Sequence, residues 1–167
     1  MSHFEKVSFE QWKSDCGVRG LADEELRAWY DAIKLPKQAT ASSAGCDFFM
    51  PFNLNFESGS RFRIATGIRW IADSAEDRGT VLLIVPRSGL GFRYGIRLTN
   101  TVGVIDADYC DADNEGHIIV SLENPSDTDV PLNEGKAFCQ GIVVKYEIPE
   151  GAGSETGRSG GMGSTDQ

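Results

Sequence analysis

The chain has 167 residues, a net charge of −9 at pH 7, a hydrophobic share of 40% and a charged share of 25%. These values are typical of one globular domain, and the negative charge argues against nonspecific nucleic-acid binding, which needs a basic face. No stretch approaches the roughly 20 apolar residues of a membrane span, and the first residues lack the features of a signal peptide. The four cysteines are scattered, so we expect reduced thiols in the cytoplasm.

Residues 1–35 differ in pattern from the rest of the chain. Apolar side chains recur there at spacings of three and four among charged residues, which predicts one or two short amphipathic helices. The acidic run at 23–25 fits the first turn of the second helix. Gly17 and Gly20 would separate the two helices, and Pro36 would stop the second.

From residue 40 onward the pattern is typical of β-structure. Apolar and β-branched runs are separated by clusters of Gly, Pro, Asn and Asp, as in short strands joined by turns. The run at 96–105, which contains Asn100 and Gly103, predicts a hairpin or a pair of short strands. Many short strands of this kind predict an all-β barrel, sandwich or jelly roll. The other predicted strands are 61–64, 80–85, 117–122 and 138–146.

Five short patches combine small residues with one or two polar groups. Small residues let the backbone approach a ligand, so that main-chain N–H and C=O groups can bind phosphates and a base edge. One patch alone is weak evidence, whereas five in series between predicted strands indicate a nucleotide site. The patches are Ser-Ala-Gly-Cys-Asp at 43–47, Pro-Arg-Ser-Gly-Leu at 86–90, Gly-Val-Ile-Asp-Ala-Asp-Tyr at 103–109, Gly-Lys-Ala-Phe-Cys-Gln at 135–140 and Arg-Ser-Gly-Gly-Met-Gly-Ser-Thr at 158–165.

The fifth patch lies in residues 149–167, which hold too few apolar side chains to join a core. We therefore expect this segment to be mobile in the protein without ligand. A disordered end or a linker is one interpretation. Arg158 and the glycine-rich run after it also fit a backbone nest that becomes ordered on an anion.

Single side chains in two other patches have a chemical interpretation. Asp106 ends an apolar run, where a carboxylate is costly unless it is used or paired, although a turn or capping role is an alternative. Arg87 can bind phosphate through two N–H groups, Ser88 adds a donor, and Gly89 lets the backbone approach. A plain surface turn is the alternative for that patch.

In their order along the chain, the five patches resemble the motifs of the trimeric dUTPases, and the likeness covers residues 36–167. The resemblance implies a distorted β-barrel of jelly-roll type that assembles as a homotrimer. It also implies sites at subunit junctions, each closed by the flexible C-terminal arm of a neighbour. We therefore divide the chain into a helical N-terminal extension (1–35), a barrel (36–148) and an arm (149–167).

The activity that this resemblance implies is Mg²⁺-dependent hydrolysis of dUTP to dUMP and pyrophosphate, which keeps uracil out of DNA and supplies dUMP for thymidylate synthesis. Asp106 would orient and deprotonate the water that attacks the α-phosphate. Gln140 would contact phosphate and help to place that water, and Ser88 would contact the phosphate chain near the scissile bond. Asp47 would bind water around the magnesium, an ion that keeps several waters in proteins.

The resemblance also assigns residues to nucleotide binding. Asn100 and the main chain of 101–105 would bind the uracil edge, although Asn100 also suits a turn. The ring of Tyr109 would pack under the deoxyribose and exclude a 2′-hydroxyl, with a core tyrosine as the alternative. The expected substrate contacts are Arg87, Gly89, Asn100, Gly103, Val104, Ile105 and Tyr109, together with Arg158, Met162, Gly163, Ser164 and Thr165 from the arm.

Several positions depart from the family pattern. Ala137 stands where the fourth motif usually has Arg, and Cys110 with Asp111 stands where a Gly is usual after the third. In the arm, Met162 replaces a Phe over the uracil, and a sulfur side chain can still cover a flat ring with less stacking. Asp166 replaces the closing Gly and adds negative charge near the phosphates, which could weaken binding.

Two other functions are considered. A dCTP deaminase shares the fold, but it carries a catalytic Glu at the position that corresponds to Ser121, and Glu123 lies two positions late. A regulatory binding protein would use the aromatic residues of the N-terminal helices, Trp12, Trp29 and Tyr30, to recognise a partner. The competing expectation is that these aromatic side chains pack onto the barrel.

Overall fold

The computed structural model describes residues 1–72 and 79–153. Strands dominate these ranges, as the sequence predicts. The helices are α1 (Phe9–Cys16), α2 (Asp23–Ala32) and α3 (Ser88–Tyr94), and a 3-10 helix covers Ala107–Asp111. The strands in chain order are β1 (His3–Lys6), β2 (Lys37–Gln38), β3 (Cys46–Phe49), β4 (Leu54–Phe56), β5 (Arg61–Ala65), β6 (Ile68–Ile71), β7 (Thr80–Pro86), β8 (Arg97–Leu98), β9 (Gly103–Ile105), β10 (Ile119–Glu123), β11 (Val130–Leu132) and β12 (Ala137–Lys145).

The described strands pair antiparallel in four sheets and do not close one continuous barrel. The largest sheet has the order β2-β3-β12-β7-β9, a second has the order β5-β10-β8, and β1-β6 and β4-β11 form two-stranded sheets. The longest pairing joins β7 to β12, from Pro86 opposite Cys139 to Thr80 opposite Lys145. The predicted all-β class is confirmed, and the arrangement is consistent with a jelly roll.

The core lies between the sheets and follows the period of two that a half-buried strand requires. On β7, Leu82 and Ile84 are buried, while the residues between and beside them are partly exposed. Burying an aliphatic side chain of this size stabilises the fold by roughly 1.5–3 kcal/mol. On β12, a Cβ at Gly141 would lie 2.9 Å from side-chain atoms of Leu82 and Phe48, so glycine permits this close packing.

The N-terminal residues contribute to this core. Both predicted helices are present, and Gly17 ends α1 with a φ of 66°, a backbone conformation that favours glycine. The expectation that the aromatic residues pack onto the barrel is confirmed. Trp12 is fully buried and its indole N–H donates to the carbonyl of Ala65 at 3.0 Å, while Trp29 stacks on Phe52.

Three local predictions need correction. The first residues form strand β1, which pairs with β6, because pairing with a distant strand overrides the local pattern. For the run at 96–105, the structure confirms the alternative of a pair of short strands, since β8 pairs with β10 while β9 pairs with β7. The patch after Arg87 continues as helix α3, and α2 already ends at Ala32, ahead of Pro36.

Two polar contacts tie the N-terminal segment to the loop before β10. Glu115 accepts hydrogen bonds from the main-chain N–H of Ser8 at 2.7 Å and from its hydroxyl at 2.6 Å. His117 is fully buried, and its Nε2 accepts from the N–H of Gly67 at 2.8 Å. Its Nδ1 therefore carries the proton and donates to Asp15 at 2.6 Å.

These contacts predict that the free energy of unfolding falls in mild acid. Burial lowers the pKa of His117 despite the opposing hydrogen bond to Asp15, and the hydrogen bonds from Ser8 lower the pKa of Glu115. The unfolded chain therefore binds more protons, so this stabilisation is full above about pH 6.5 and is lost as the pH falls through the lowered values. Urea unfolding between pH 5 and pH 8 measures this dependence.

The chain contains two histidines, which supplies a matched control. His117→Gln should flatten the dependence between pH 7 and pH 5. His3→Gln should change it much less, because the 3.1 Å contact of His3 with Glu5 joins side chains that are 43% and 42% exposed, where solvent screens such a pair. An equally steep dependence in His117→Gln and the unmodified protein would contradict this account.

Candidate active site

A cavity of about 510 Å³ opens beside β9 and β10. Six of the predicted site residues line it: Asn100, Gly103, Val104, Ile105, Asp106 and Tyr109. The remaining lining residues include apolar side chains from β7 and β8 and polar side chains from the second sheet: Arg63, Ile84, Leu98, Thr99, Val102, Ile118, Ile119, Val120 and Ser121. This mixture of apolar walls and a few convergent polar groups is typical of a small-molecule site.

The third patch forms one side of the cavity because of its local backbone. After β8 the chain turns at Thr101, which has a φ of 68°, and enters β9 at Gly103. A Cβ at Gly103 would lie 3.1 Å from the Cβ of Ile84, so glycine lets β9 lie close against β7. Strand β9 is the last strand of the five-stranded sheet, so main-chain groups on its outer edge can pair with a base edge.

Tyr109 has an apolar ring on the cavity and an anchored hydroxyl behind it. The residue is 4% exposed and belongs to the core cluster. Its hydroxyl donates to the carbonyl of His117 at 3.1 Å and accepts from the side-chain amide of Asn114 at 2.9 Å. Tyr109 is therefore a core tyrosine, as one alternative predicted, and its ring also forms part of the cavity wall.

Asp106 lies in an exposed position at the cavity, directly before the 3-10 helix. Its main-chain carbonyl accepts from the N–H of Tyr109 at 3.1 Å, which fixes the two residues relative to each other. Within the described part of the chain, its carboxylate does not cap that helix, so the capping alternative is not supported. An exposed carboxylate on a nucleotide-sized cavity can accept a proton from a bound water.

Three other patches meet in a second group of residues, the Asp47–Arg87–Gln140 cluster. Arg87 Nη1 lies 3.3 Å from Asp47 Oδ2, and Gln140 stands opposite Asp47 in the pairing of β3 with β12. The Gln140 amide donates to the carbonyl of Pro86 at 3.4 Å. A Cβ at Gly45 would lie 2.4 Å from Gln140 Oε1, so glycine in the first patch leaves room for this side chain.

Ser88 and Gly89 begin α3 beside this cluster, and both are exposed. The Asp47 side chain is only 13% exposed and the Arg87 side chain is 40% exposed, so the guanidinium keeps donor groups on the solvent side. A guanidinium held by a buried carboxylate, next to an exposed hydroxyl and a glycine, can bind a phosphate chain.

Asp106 and the Asp47–Arg87–Gln140 cluster lie toward opposite ends of β7, whose Ile84, near the middle of the strand, lines the cavity. Ile105, just before Asp106, pairs with Leu82 near the start of β7. Arg87 follows the other end of β7, five residues beyond Leu82. At about 3.3 Å per residue, these positions are separated by roughly 17 Å. One chain therefore does not bring its own Asp106 next to its own Arg87.

The remaining predictions have different outcomes. Arg158, Met162, Gly163, Ser164 and Thr165 lie outside the described residues, so their roles stay predictions. Among residues 1–72 and 79–153, no group of three or more His, Cys, Asp or Glu side chains is arranged to hold a metal ion. The lining residues Arg63 and Ser121 were not predicted as substrate contacts, because ordinary strand residues carry no motif and only the pairing of β5 with β10 brings them to the cavity. Thr99, in the turn after β8, also carries no motif.

Comparison with known proteins identifies the family. A family model described as dUTPase matches residues 31–165. The deoxyuridine 5′-triphosphate nucleotidohydrolase of Lactococcus lactis subsp. lactis is 34% identical over 136 residues, which are 80% of this chain and 88% of that protein. The chain belongs to the dUTPase family. The resemblance found in the five patches is confirmed, and so is the class of enzyme, a dUTP diphosphatase.

Solved dUTPase structures resemble the fold. The crystal structure of dUTPase from Streptococcus mutans has a TM-score of 0.66 and 29% identity, and the match covers 89% of this chain and 99% of that chain. A mutant dUTPase from phage phi11 of S. aureus, described with a structural Mg(II) ion, has a TM-score of 0.61 and 17% identity over 93% and 97% of the two chains. At 17% identity the second likeness shows the fold alone.

Gly116 supplies a test of how tightly the dUTPase holds the loop behind Tyr109. Gly116 and Gly59 have similar φ values, 71° and 68°. A Cβ added at Gly116 would lie 2.8 Å from the Tyr109 carbonyl oxygen, whereas a Cβ added at Gly59 would meet no heavy atom within 4 Å. Gly59→Ala should cost about 1–2 kcal/mol from backbone strain alone. Gly116→Ala should cost roughly 1–3 kcal/mol more, because backbone atoms must shift. Urea unfolding compares the two, and equal losses would contradict the close packing.

Proposed function

We propose that the protein hydrolyses dUTP to dUMP and pyrophosphate by attack of water on the α-phosphate, with Asp106 as the general base. The observation that carries this proposal is the cavity in which Asn100, β9 and the Tyr109 ring surround a nucleoside-sized space with Asp106 at its edge. The dUTPase match over residues 31–165 supports the same substrate. By removing dUTP the enzyme keeps uracil out of DNA, and its product supplies thymidylate synthesis.

Each part of the nucleotide has a matching group. The Asn100 amide offers a donor and an acceptor to the uracil edge, and the outer edge of β9 adds main-chain groups from Gly103, Val104 and Ile105. A wrong base leaves these polar groups unpaired, which gives discrimination against cytosine. The Tyr109 ring packs under the deoxyribose and excludes a 2′-hydroxyl by steric overlap.

The phosphates are bound by the other cluster. Arg87, Ser88 and Gly89 contact the triphosphate, and Gln140 contacts phosphate and helps to orient the attacking water. Their fixed positions before substrate arrives support this role, because Arg87 is held by Asp47 and Gln140 by the carbonyl of Pro86. Catalysis by placement and fixed electrostatics needs groups that do not reorganise during the reaction.

The active site is shared between copies of the chain in a homotrimer. The separation of about 17 Å along β7 supports this assignment, since Asp106 and Arg87 of one chain lie apart and a neighbouring copy can supply the second residue. Large apolar side chains are exposed on α3 and from the end of β12 onward, and a copy of the chain can bury them: Phe92, Val143, Val144, Tyr146 and Ile148.

Magnesium and the C-terminal arm complete the proposed site. The donor set fits a magnesium that arrives with the nucleotide, because such ions use one or two carboxylates together with substrate phosphates and water. Asp47 would contact the water around that ion, which neutralises charge on the triphosphate. From the arm, Arg158, Ser164 and Thr165 would bind the γ-phosphate, and Met162 with Gly163 would cover the uracil.

The alternatives have less support. Ser121 lines the cavity, so the position where a dCTP deaminase carries its Glu holds a hydroxyl. Glu123 instead pairs with Arg61 and Arg97.

No helix in the described ranges has the length and apolar character that crossing a lipid bilayer requires. We expect the enzyme to act in the cytoplasm, which fits four cysteines that are all thiols.

Replacing the proposed base tests the chemistry. Asp106→Asn keeps the size and polarity of the side chain but cannot take a proton, so pyrophosphate release from dUTP should fall by about 10²- to 10⁴-fold. Asp108→Asn, at an exposed carboxylate two residues later, should retain activity within about threefold. Normal turnover by Asp106→Asn would show that another group is the base.

Mixing two inactive variants tests the shared site. Asp106→Asn and Arg87→Ala each carry one defect, and equal amounts are unfolded and refolded together. If each site takes Asp106 from one copy and Arg87 from another, about a quarter of all sites in the refolded mixture are intact and activity returns. If one chain supplies both residues, every site carries a defect and the mixture remains as inactive as its components.

A further inference from the structure

A continuous line of hydrogen bonds runs from helix α1 to the hydroxyl of Tyr109. Asp15, in the last turn of α1, accepts from His117 Nδ1 at 2.6 Å. The main-chain carbonyl of the same His117 accepts from the Tyr109 hydroxyl at 3.1 Å. Asp15 belongs to the N-terminal segment, which precedes residue 31, where the dUTPase family match begins.

Hydrogen bonds hold the imidazole of His117 at both of its ring nitrogens. Its imidazole lies between the N–H of Gly67 and the carboxylate of Asp15, and the side chain has no exposed surface. The next residue, Ile118, pairs its N–H with the carbonyl of Ile68 at 2.9 Å. The carbonyl that receives the Tyr109 hydroxyl also accepts from the Asn114 amide at 3.4 Å, and it belongs to the residue whose imidazole is held by Gly67 and Asp15.

The N-terminal segment also packs against the turn that contacts His117. A Cβ at Gly67 would lie 2.4 Å from Ile33 Cδ1 and 3.2 Å from Trp12 Cδ1, so both side chains cover this turn. Ser8 adds the two hydrogen bonds to Glu115, two residues before His117. The N-terminal segment thus contacts both the Gly67 turn, which donates to His117, and Glu115, in the same loop as His117.

From this geometry we infer that Asp15 and His117 are positioning residues for Tyr109, and that helix α1 thereby sets the preference of the enzyme for deoxyribose over ribose. The inference rests on the proposed function, in which the Tyr109 ring excludes the 2′-hydroxyl. Exclusion by contact is sensitive to small displacements, because a ring that recedes by a fraction of an ångström makes room for an added oxygen atom. Asp15 touches neither the nucleotide nor the reacting atoms.

Variants of Asp15 separate this role from a general effect on stability. Asp15→Ala removes the acceptor of the His117 proton. Asp15→Asn keeps an acceptor oxygen at the same place and serves as the conservative rescue. Asp23→Ala is the matched control, because it removes the ion pair with Lys13 at 2.7 Å, which also joins α1 to its surroundings but has no link to His117.

The measured quantity is the ratio of kcat/KM for dUTP to kcat/KM for UTP, determined by pyrophosphate release well below the unfolding midpoint of each variant. Asp15→Ala should lower this ratio roughly tenfold, mainly by improving the use of UTP. Asp15→Asn and Asp23→Ala should keep it within about twofold of the unmodified enzyme. A loss of stability alone would reduce both activities together and leave the ratio unchanged.

A double-mutant cycle tests whether the effect passes through the Tyr109 hydroxyl. Tyr109→Phe keeps the ring but removes the hydrogen bond to His117. In the Tyr109→Phe background, Asp15→Ala should change the ratio by less than half of its effect in the unmodified enzyme, because the connection is already broken.

Each outcome decides the question. An unchanged ratio in Asp15→Ala, or a full additive effect in the Tyr109→Phe background, overturns the positioning role. If the unmodified protein shows no preference for dUTP over UTP, the proposed function itself has failed. A clear preference that does not depend on Asp15 leaves the proposed function standing and defeats only this inference.

Discussion

The pairing of β7 with β12 on one side and with β9 on the other is the constraint on which the rest of the structure depends. The pairing with β12 extends over the full length of β7, and the pairing with β9 covers Leu82 to Ile84. The alternating buried residues of β7, Leu82 and Ile84, lie in the core. The same pairing sets the distance between Asp106 and the Asp47–Arg87–Gln140 cluster, since these lie toward opposite ends of the strand. A register shift of one residue would turn the buried side chains outward, so the core also fixes the separation of the two half-sites.

Each half-site is organised within a single chain before any nucleotide arrives. Arg87 is held by Asp47, Gln140 lies over Gly45, and the Tyr109 hydroxyl has two partners. An enzyme built in this way has little to rearrange inside each copy when the copies come together. In the proposed trimer, one copy would supply specificity for the base and the sugar and another would bind the phosphates, so both functions would require correct assembly.

The sequence predicted the parts of this structure that depend on local pattern. The β-runs, the two N-terminal helices and the five patches follow from spacing and residue type, and six of the twelve described strands lie on the predicted runs: β5, β7, β8, β9, β10 and β12. The cavity residues Arg63 and Ser121 could not be predicted, because their role comes from the pairing of β5 with β10. Strand β1 and the Asp15–His117 contact could not be predicted for the same reason, because they join residues that are far apart in the chain.

Trp12 attaches the N-terminal segment to the barrel at a specific binding site. In this site the Ala65 carbonyl accepts the indole N–H, and Gly67 leaves space beside the ring. A chimera that joins this segment to the barrel of a relative must reproduce that binding site, or the large side chain of Trp12 is no longer buried in the core. Evolution can therefore exchange the segment only together with the barrel surface beneath it. The first residue lies fully in solvent, so a fusion partner attached there does not disturb the contacts of Trp12.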